Sequence, residues 1–300
     1  MRIIRQLALQ AILSLAASAQ IGNIVVTSAA SFQPGMPPPG SIGTVFCTGL
    51  AVSGLVISTM LPVPRELAGV TVTVGSVPAP LFAVADLGGY QQINFQVPLK
   101  ADFRSDGSVD VVIAQGSTQA VATAKCNYYV QPGHFFRIGG TQYGVFQHSG
   151  DYSLVTDASP AKPGETIIAY LTGLPTATNP PSDGQPAPAS PLSVVPQYNT
   201  ADMISQLSLQ VGGIGVYDPP PINGDSTGMN PIPFIGLAPG AVGLYQINFI
   251  LPQNTPSGHN GVYLVATHCA GTPAGVPHGP GNCYTNAQSY YSQSVVLPVH

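Results

Sequence analysis

The sequence predicts an all-β protein made of two tandem immunoglobulin-like β-sandwich domains. Three observations carry that prediction. A strand motif occurs twice, as Gln92-Ile93-Asn94-Phe95-Gln96-Val97-Pro98 and as Gln246-Ile247-Asn248-Phe249-Ile250-Leu251-Pro252. In each copy Ile, Phe and a third aliphatic alternate with Gln and Asn, the period of a strand with one buried face. Each copy is closed by a Pro where no further ladder N–H is needed. Short runs of this kind recur with a turn signal about every ten residues, as in a sandwich. No segment carries an amphipathic helical stripe longer than two turns.

Met1 to Ala19 reads as a secretory signal. Arg2 and Arg5 form the charged start, Leu7 to Leu15 the apolar core, and Ala17-Ser18-Ala19 the small-residue cleavage site. The first domain is assigned to residues 20–131. It opens with Ile24-Val25-Val26 and the turn-rich Pro34 to Gly40, then a strand from Ser41 to Cys47 ending in Thr48-Gly49-Leu50. Val70, Val72 and Val74 alternate with Thr71 and Thr73 and are closed by Gly75. After the Gln92 strand, Val109, Val111 and Ile113 form another, turned at Gln115 to Thr118 into a strand from Gln119 to Tyr129.

The second domain is assigned to residues 132–300. A hairpin over Gly144 to Val155 precedes a restart of the first plan. Lys162-Pro163-Gly164-Glu165 leads into Thr166 to Leu171 and Thr172-Gly173-Leu174, and Leu207, Leu209 and Val211 match the earlier valine strand. Asn94 and Asn248, like Gly49 and Gly173, mark equivalent points of the repeat. The two Asn are read as structural, each amide bonding a neighbouring loop from a buried place. The path from Thr172 to Gln246 is longer than that from Thr48 to Gln92, and the excess falls in Pro-rich stretches near Pro175–Pro196 and Pro219–Pro233. Both are expected as surface loops, the places where function accumulates on a scaffold.

Composition narrows the function. Charged residues are only 7% of the chain, Gly and Pro number 34 and 31, and Trp is absent. No internal run approaches the roughly 18 apolar residues of a spanning helix, and 44% hydrophobic content suffices for a core. The net charge of −4 becomes more negative when Arg2 and Arg5 leave, and no basic stripe exists to meet nucleic-acid phosphates.

An ordered set of motifs resembles a bacterial extracellular module, the Solibacter-type C-terminal domain abundant in Acidobacteria. The matching residues are Ala29 to Phe32, Pro39-Gly40-Ser41, Thr48-Gly49-Leu50, Val77 to Phe82, Gln92 to Pro98, Pro132 to Phe135, Pro160 to Glu165 and Leu237 to Gln246. They span the chain after the signal. Each half is also similar to the transcription-factor-type immunoglobulin fold. The resemblance implies an extracellular location and carries over no catalytic residue. The Pro- and Tyr-rich C-terminal segment with its cysteines departs from the module.

Candidate chemistry is sparse. Four Cys in an exported chain favour disulfides, and pairing within each half gives Cys47–Cys126 and Cys269–Cys283. A zinc site from His268, Cys269, His278 and Cys283 is the alternative, but its spacing fits no standard ligand pattern. Gly224-Asp225-Ser226-Thr227-Gly228 has the spacing of a nucleophile elbow, with His259 or His268 as conceivable partners of Ser226. Such an elbow needs a strand before it and a helix after it, and the flanking prolines forbid both. Asp102, Asp106 and Asp110 surround a turn with oxygen ligands for Ca²⁺, but a solvated hairpin turn is the favoured reading, because the EF-hand register is absent. Tyr284, Tyr290 and Tyr291 are a candidate aromatic sugar platform or ordinary half-buried packing.

The sequence therefore points to a secreted or cell-surface, non-enzymatic protein serving adhesion, binding or extracellular structure. It needs no cofactor, and its partner is an extracellular protein or glycan. A carbohydrate-binding module is the main alternative, a hydrolase using Ser226 the remoter one. Self-association is also open, because few charges guard the strand edges.

Overall fold

The computed structural model describes residues 20–126, 132–195, 204–217, 230–269 and 287–300. The signal segment, Ser226 with its loop, His278, Cys283 and Tyr284 lie outside the described residues. In the first half the strands are β1 (Gly22–Ser28), β2 (Ile42–Thr48), β3 (Leu55–Ile57), β4 (Glu66–Leu67), β5 (Val70–Val74), β6 (Val77–Pro78), β7 (Leu81–Asp86), β8 (Gln91–Gln96), β9 (Ser108–Gln115) and β10 (Thr118–Lys125). They form two sheets, ordered β1-β2-β8-β7-β3 and β10-β9-β5-β4, with β6 on β5. Val45, Leu81, Ile93 and Phe95 from one sheet and Val72, Val74, Val111 and Ile113 from the other share one buried cluster. Alternation places these side chains on the inner faces.

The second half repeats the arrangement with β11 (His134–Phe135), β12 (Phe146–His148), β13 (Thr166–Thr172), β14 (Ile204–Val211), β15 (Ile214–Tyr217), β16 (Asn230–Pro231), β17 (Phe234–Leu237), β18 (Tyr245–Ile250), β19 (Gly258–Cys269), β20 (Ala287–Tyr291) and β21 (Val295–Val299). Here the orders are β11-β13-β18-β17, with β12 also on β13, and β16-β15-β14-β19-β20, with β21 also on β19. This half has its own core, from Phe135 to Val299, and shares no member with the first. The chain is therefore all-β, with two immunoglobulin-like sandwiches in tandem.

The repeat holds in register as well as in order. Asn94 faces Thr44 across β8 and β2, and Asn248 faces Ile168 across β18 and β13. Gly49 and Gly173 follow β2 and β13 with φ of 88° and 91°, a left-handed conformation that suits glycine. At Gly49 an added Cβ would stand 2.3 Å from the carbonyl oxygen of Gln20.

Two expectations need correction. The segment after Pro175 is not a free surface loop. Ser193 to Val195 run along β17, with the Val195 N–H donating to Ile235 O at 2.9 Å and the Leu237 N–H to Ser193 O at 2.9 Å. Ala177, Ala187, Ser193 and Val195 are buried. Prolines punctuate the segment, which hid its pairing from a reading based on alternation. Its tip also reaches the first sandwich. The Gly184 N–H donates to Gln96 Oε1 at 2.7 Å, the Leu99 N–H to Asp183 Oδ1 at 2.9 Å, and the Val63 N–H to Gly184 O at 2.8 Å. With the Ile42 N–H donating to Thr172 Oγ1 at 2.8 Å, these bonds form a strut between the halves.

The second correction concerns the paired asparagines. Both are half-buried, on the outer face of their sheet, and bond within the sheet instead of to a loop. Asn94 Oδ1 accepts from Thr44 Oγ1 at 2.8 Å and Gln92 Nε2 at 2.9 Å, whereas Asn248 Oδ1 accepts from Gln246 Nε2 at 2.7 Å.

Candidate functional site

The outer face of the β1-β2-β8-β7-β3 sheet gathers the most recognition chemistry. Because Val45, Cys47, Ile93 and Phe95 point to the core, their neighbours Phe46, Gln92 and Asn94 point outward. Phe46 pairs with Gln92 across the ladder, and Gln92 and Asn94 lie opposite Ala85 and Ala83 of β7. These small alanines leave a depression of about 390 Å³ between the β8 amides and Leu55 of β3, with Asp86 and Leu87 at one end. The two bonds accepted by Asn94 fix its orientation.

Beside Gln92, at its ladder partner Phe46, lies an aromatic ridge. The Phe46 ring centre lies 5.7 Å from that of Phe32 and 5.9 Å from that of Tyr90, tilted by 56° and 62°. Such edge-to-face contacts hold the rings firmly. Phe32 and Tyr90 remain exposed. Neither was singled out in the sequence, since they lie in turns and meet only through the fold.

A second polar cluster fastens the turn from Thr156 to Ser159. His148 Nδ1 lies 2.6 Å from Glu165 Oε1, and its Nε2 lies 3.1 Å from the Ser159 carbonyl oxygen and 3.3 Å from Ser159 Oγ. On the other side Asp157 accepts from the Tyr143 hydroxyl at 2.7 Å and from His259 Nε2 at 2.8 Å. Serine, histidine and glutamate in this order have the form of a nucleophile, base and acid. The carbonyl decides otherwise. It can only accept, so Nε2 carries a hydrogen, and the carboxylate requires one on Nδ1. A ring nitrogen that donates its hydrogen to that carbonyl cannot take a proton from Ser159. Burial works against a charged ring, but the hydrogen bonds that His148 donates to Glu165 and to the Ser159 carbonyl outweigh it and raise its pKa. The Tyr143 hydroxyl and His259 hold Asp157 below the usual carboxylate range. His259 is thus committed to Asp157, and the cluster is a fastening.

The other sequence candidates separate. Asp102 bonds Ser76, Asp106 accepts from the Ser108 N–H at 3.0 Å, and Asp110 pairs with Arg104 at 2.5 Å. The hydrogen bond from Arg104, then that from Thr123, keeps the Asp110 carboxyl below its ordinary range. The three carboxylates turn to different partners and do not converge as a Ca²⁺ site. Among the described residues no cluster of three metal-ligating side chains exists. Cys47 and Cys126 are buried in the same core cluster, and Cys47 is a thiol whose pKa burial pushes up to about 11. Tyr291 is exposed and lies 6.0 Å from Tyr263, tilted by 56°, so that pair is not a flat platform. No helix among the described residues is long and apolar enough to cross a membrane.

No family model and no curated protein matches the chain. Among solved structures, the chain is similar to SGBP-B of the Bacteroides ovatus mixed-linkage glucan utilization locus in complex with a mixed-linkage heptasaccharide, at 8% identity and a TM-score of 0.27. That similarity covers 96% of this chain and 61% of the other, so the chain spans less than two thirds of that protein. Titin Ig tandem domains A164-A165 are similar at 8% identity and a TM-score of 0.18, covering 94% of this chain and 96% of that one. The C-terminal domain of the Streptococcus agalactiae AgI/II polypeptide BspA is similar at 9% identity and a TM-score of 0.17, over 92% of this chain and 99% of that one. Likeness at this level carries no argument about ligand or activity.

Proposed function

We propose that the protein is a non-enzymatic binding protein of the secreted or cell-surface kind, holding a neutral glycan on the outer face of its first sandwich. The observation that supports this reading is the juxtaposition of the oriented Gln92 and Asn94 amides with the Phe32–Phe46–Tyr90 ridge beside one groove. A sugar presents hydroxyls that need paired donors and acceptors, and C–H faces that settle against an aromatic ring. Asp86 is the sole charged side chain lining the groove, which suits a neutral ligand. Export through residues 1–19, kinship with the Solibacter-type module, and a Cys269–Cys283 disulfide belong to the same proposal.

The test is affinity electrophoresis against a panel of soluble neutral polysaccharides, with wild type beside Tyr90→Ala and Gln92→Ala. Retardation of the wild type by at least one polymer, weakened about tenfold by either variant, is the expected result, since such a loss corresponds to about 1.4 kcal/mol. Equal retardation of all three proteins, or none by any polymer, defeats the proposal.

A further inference from the structure

We propose that β3 is a pairing edge through which two copies of this chain join their first sandwiches into one continuous sheet. β3 ends the β1-β2-β8-β7-β3 order, and among the described residues no strand pairs on its far side. Gly54 O accepts from the Asp86 N–H, and the Ser58 N–H donates to Phe82 O, both at 2.8 Å. Antiparallel alternation then turns the backbone groups of Leu55 and Ile57 away from β7, toward the open edge.

The side chains agree. Leu55 and Ile57 are 61% and 60% exposed, and Met60 and Leu61 continue the apolar line at 64% and 61%. From Ala51 to Pro64 the sequence holds no charged residue, so the usual Lys or Glu guard of an edge is missing.

The second sandwich shows how this protein treats the same position when it closes it. There the counterpart of β3 is Ser193 to Val195 on β17, and the Thr178 N–H caps it by donating to Val194 O at 2.7 Å. Among the described residues the first half has no such cap, which leaves that edge available to an outside strand. A second copy fits best. An antiparallel two-fold through Val56 sets Leu55 against Ile57 and Ile57 against Leu55, giving two hydrogen-bonded pairs with apolar neighbours. The stretch is uncharged, so pairing with itself meets no like-charge cost. Leu55 also borders the amide groove, and the dimer would carry two such grooves on one sheet face.

Sedimentation equilibrium at micromolar concentration, with thermal unfolding by circular dichroism, tests the proposal. The wild type should have twice the chain mass, Ile57→Lys the mass of one chain with unchanged unfolding, and Val121→Lys on the β10 edge twice the mass again. The Val56→Cys variant should form a covalent dimer on mild oxidation, because the two-fold places this pair within about 4.5 Å at Cα. Ser58→Cys, four residues out of register, should not. A monomeric wild type, a dimer that survives Ile57→Lys, or equal crosslinking of the two Cys variants overturns it. If Ile57→Lys fails to fold, the crosslinking pair decides alone. None of these readouts depends on a glycan, so failure here leaves the binding proposal standing, and the reverse holds too.

Discussion

The two sandwiches are alike inside and different outside. Ile93 and Phe95 in one core match Ile247 and Phe249 in the other, all fully buried. On the outer face only the Gln-to-Asn bond is shared. Asn94 meets a threonine and a glutamine, whereas Asn248 stands opposite Ile168. Gln96 enters the junction through the Gly184 N–H, and Ile250 holds the matching place in the second copy. The far edge is open at β3 and capped at β17. Interior positions are tied to their neighbours by packing, so a duplicated core changes slowly. Faces and edges are free of that constraint, and there the halves differ: the first carries the amide groove and the aromatic ridge, the second the capped edge and the strut segment.

The largest expected difference between them is acid sensitivity. His134 pairs with Thr172 in β11 at the place where Gly22 pairs with Thr48 in β1. Burial, aided by the nearby Arg137 charge, lowers the pKa of His134 from 6.5 to about 4. The folded state thus keeps this ring neutral while the unfolded chain takes up a proton below pH 6.5. Stability should be level above that pH, fall as pH drops towards 4, and lose about 3 kcal/mol in all. His148 works the other way. Its raised pKa gives stability that is fully present below 6.5 and fades as pH climbs through the folded value. Urea unfolding at pH 7 and pH 4.5 should therefore show the second sandwich weakening selectively on acidification. His134→Gln should flatten that response; an equal acid loss in the variant would mean another group is responsible.

How far the sequence reached follows from the same division. Strands with one buried face were legible as alternation, and the duplicated Gln-Ile-Asn-Phe run located equivalent points of both halves before any coordinates. The strut at Asp183 and Gly184 was not, because a backbone N–H meeting a distant Gln amide leaves no local pattern. The ridge was hidden for a related reason. Phe32, Phe46 and Tyr90 come from two turns and a strand, and only the ladder of β1, β2 and β8 brings them together. The Thr156 turn with His148 and Glu165 was missed because neither spacing nor composition distinguishes a fastening.

A middle-sized effect should appear on making the first half more like the second. Gln96→Ile would place the residue of the second copy at this buried site and leave the Gly184 N–H without its acceptor. An orphaned buried donor costs about 2 kcal/mol. Because the bond joins the halves, the loss should show as coupled weakening of both unfolding transitions and faster hydrogen exchange at the Gly184 amide. Unchanged exchange there would show that the strut does not depend on Gln96.

The smallest effect distinguishes the two asparagines. Each lies half-buried on a sheet face, where water can replace part of what an alanine removes, but Asn94→Ala also leaves the fully buried Thr44 hydroxyl without its acceptor. Asn94 accepts two hydrogen bonds from side chains, one of them from the buried Thr44, while Asn248 accepts one from Gln246. At about 0.5 kcal/mol for each amide bond and about 1 kcal/mol for the orphaned Thr44 hydroxyl, Asn94→Ala should cost about 1.5 kcal/mol and Asn248→Ala about 0.5 kcal/mol. Urea titrations followed through tyrosine fluorescence can resolve that difference, given matched slopes. Equal costs would mean that Thr44 adds nothing and that the outer faces are energetically as alike as the cores. A larger cost at Asn248 would place the more important polar ladder in the second sandwich, against the difference in bonding between the two faces.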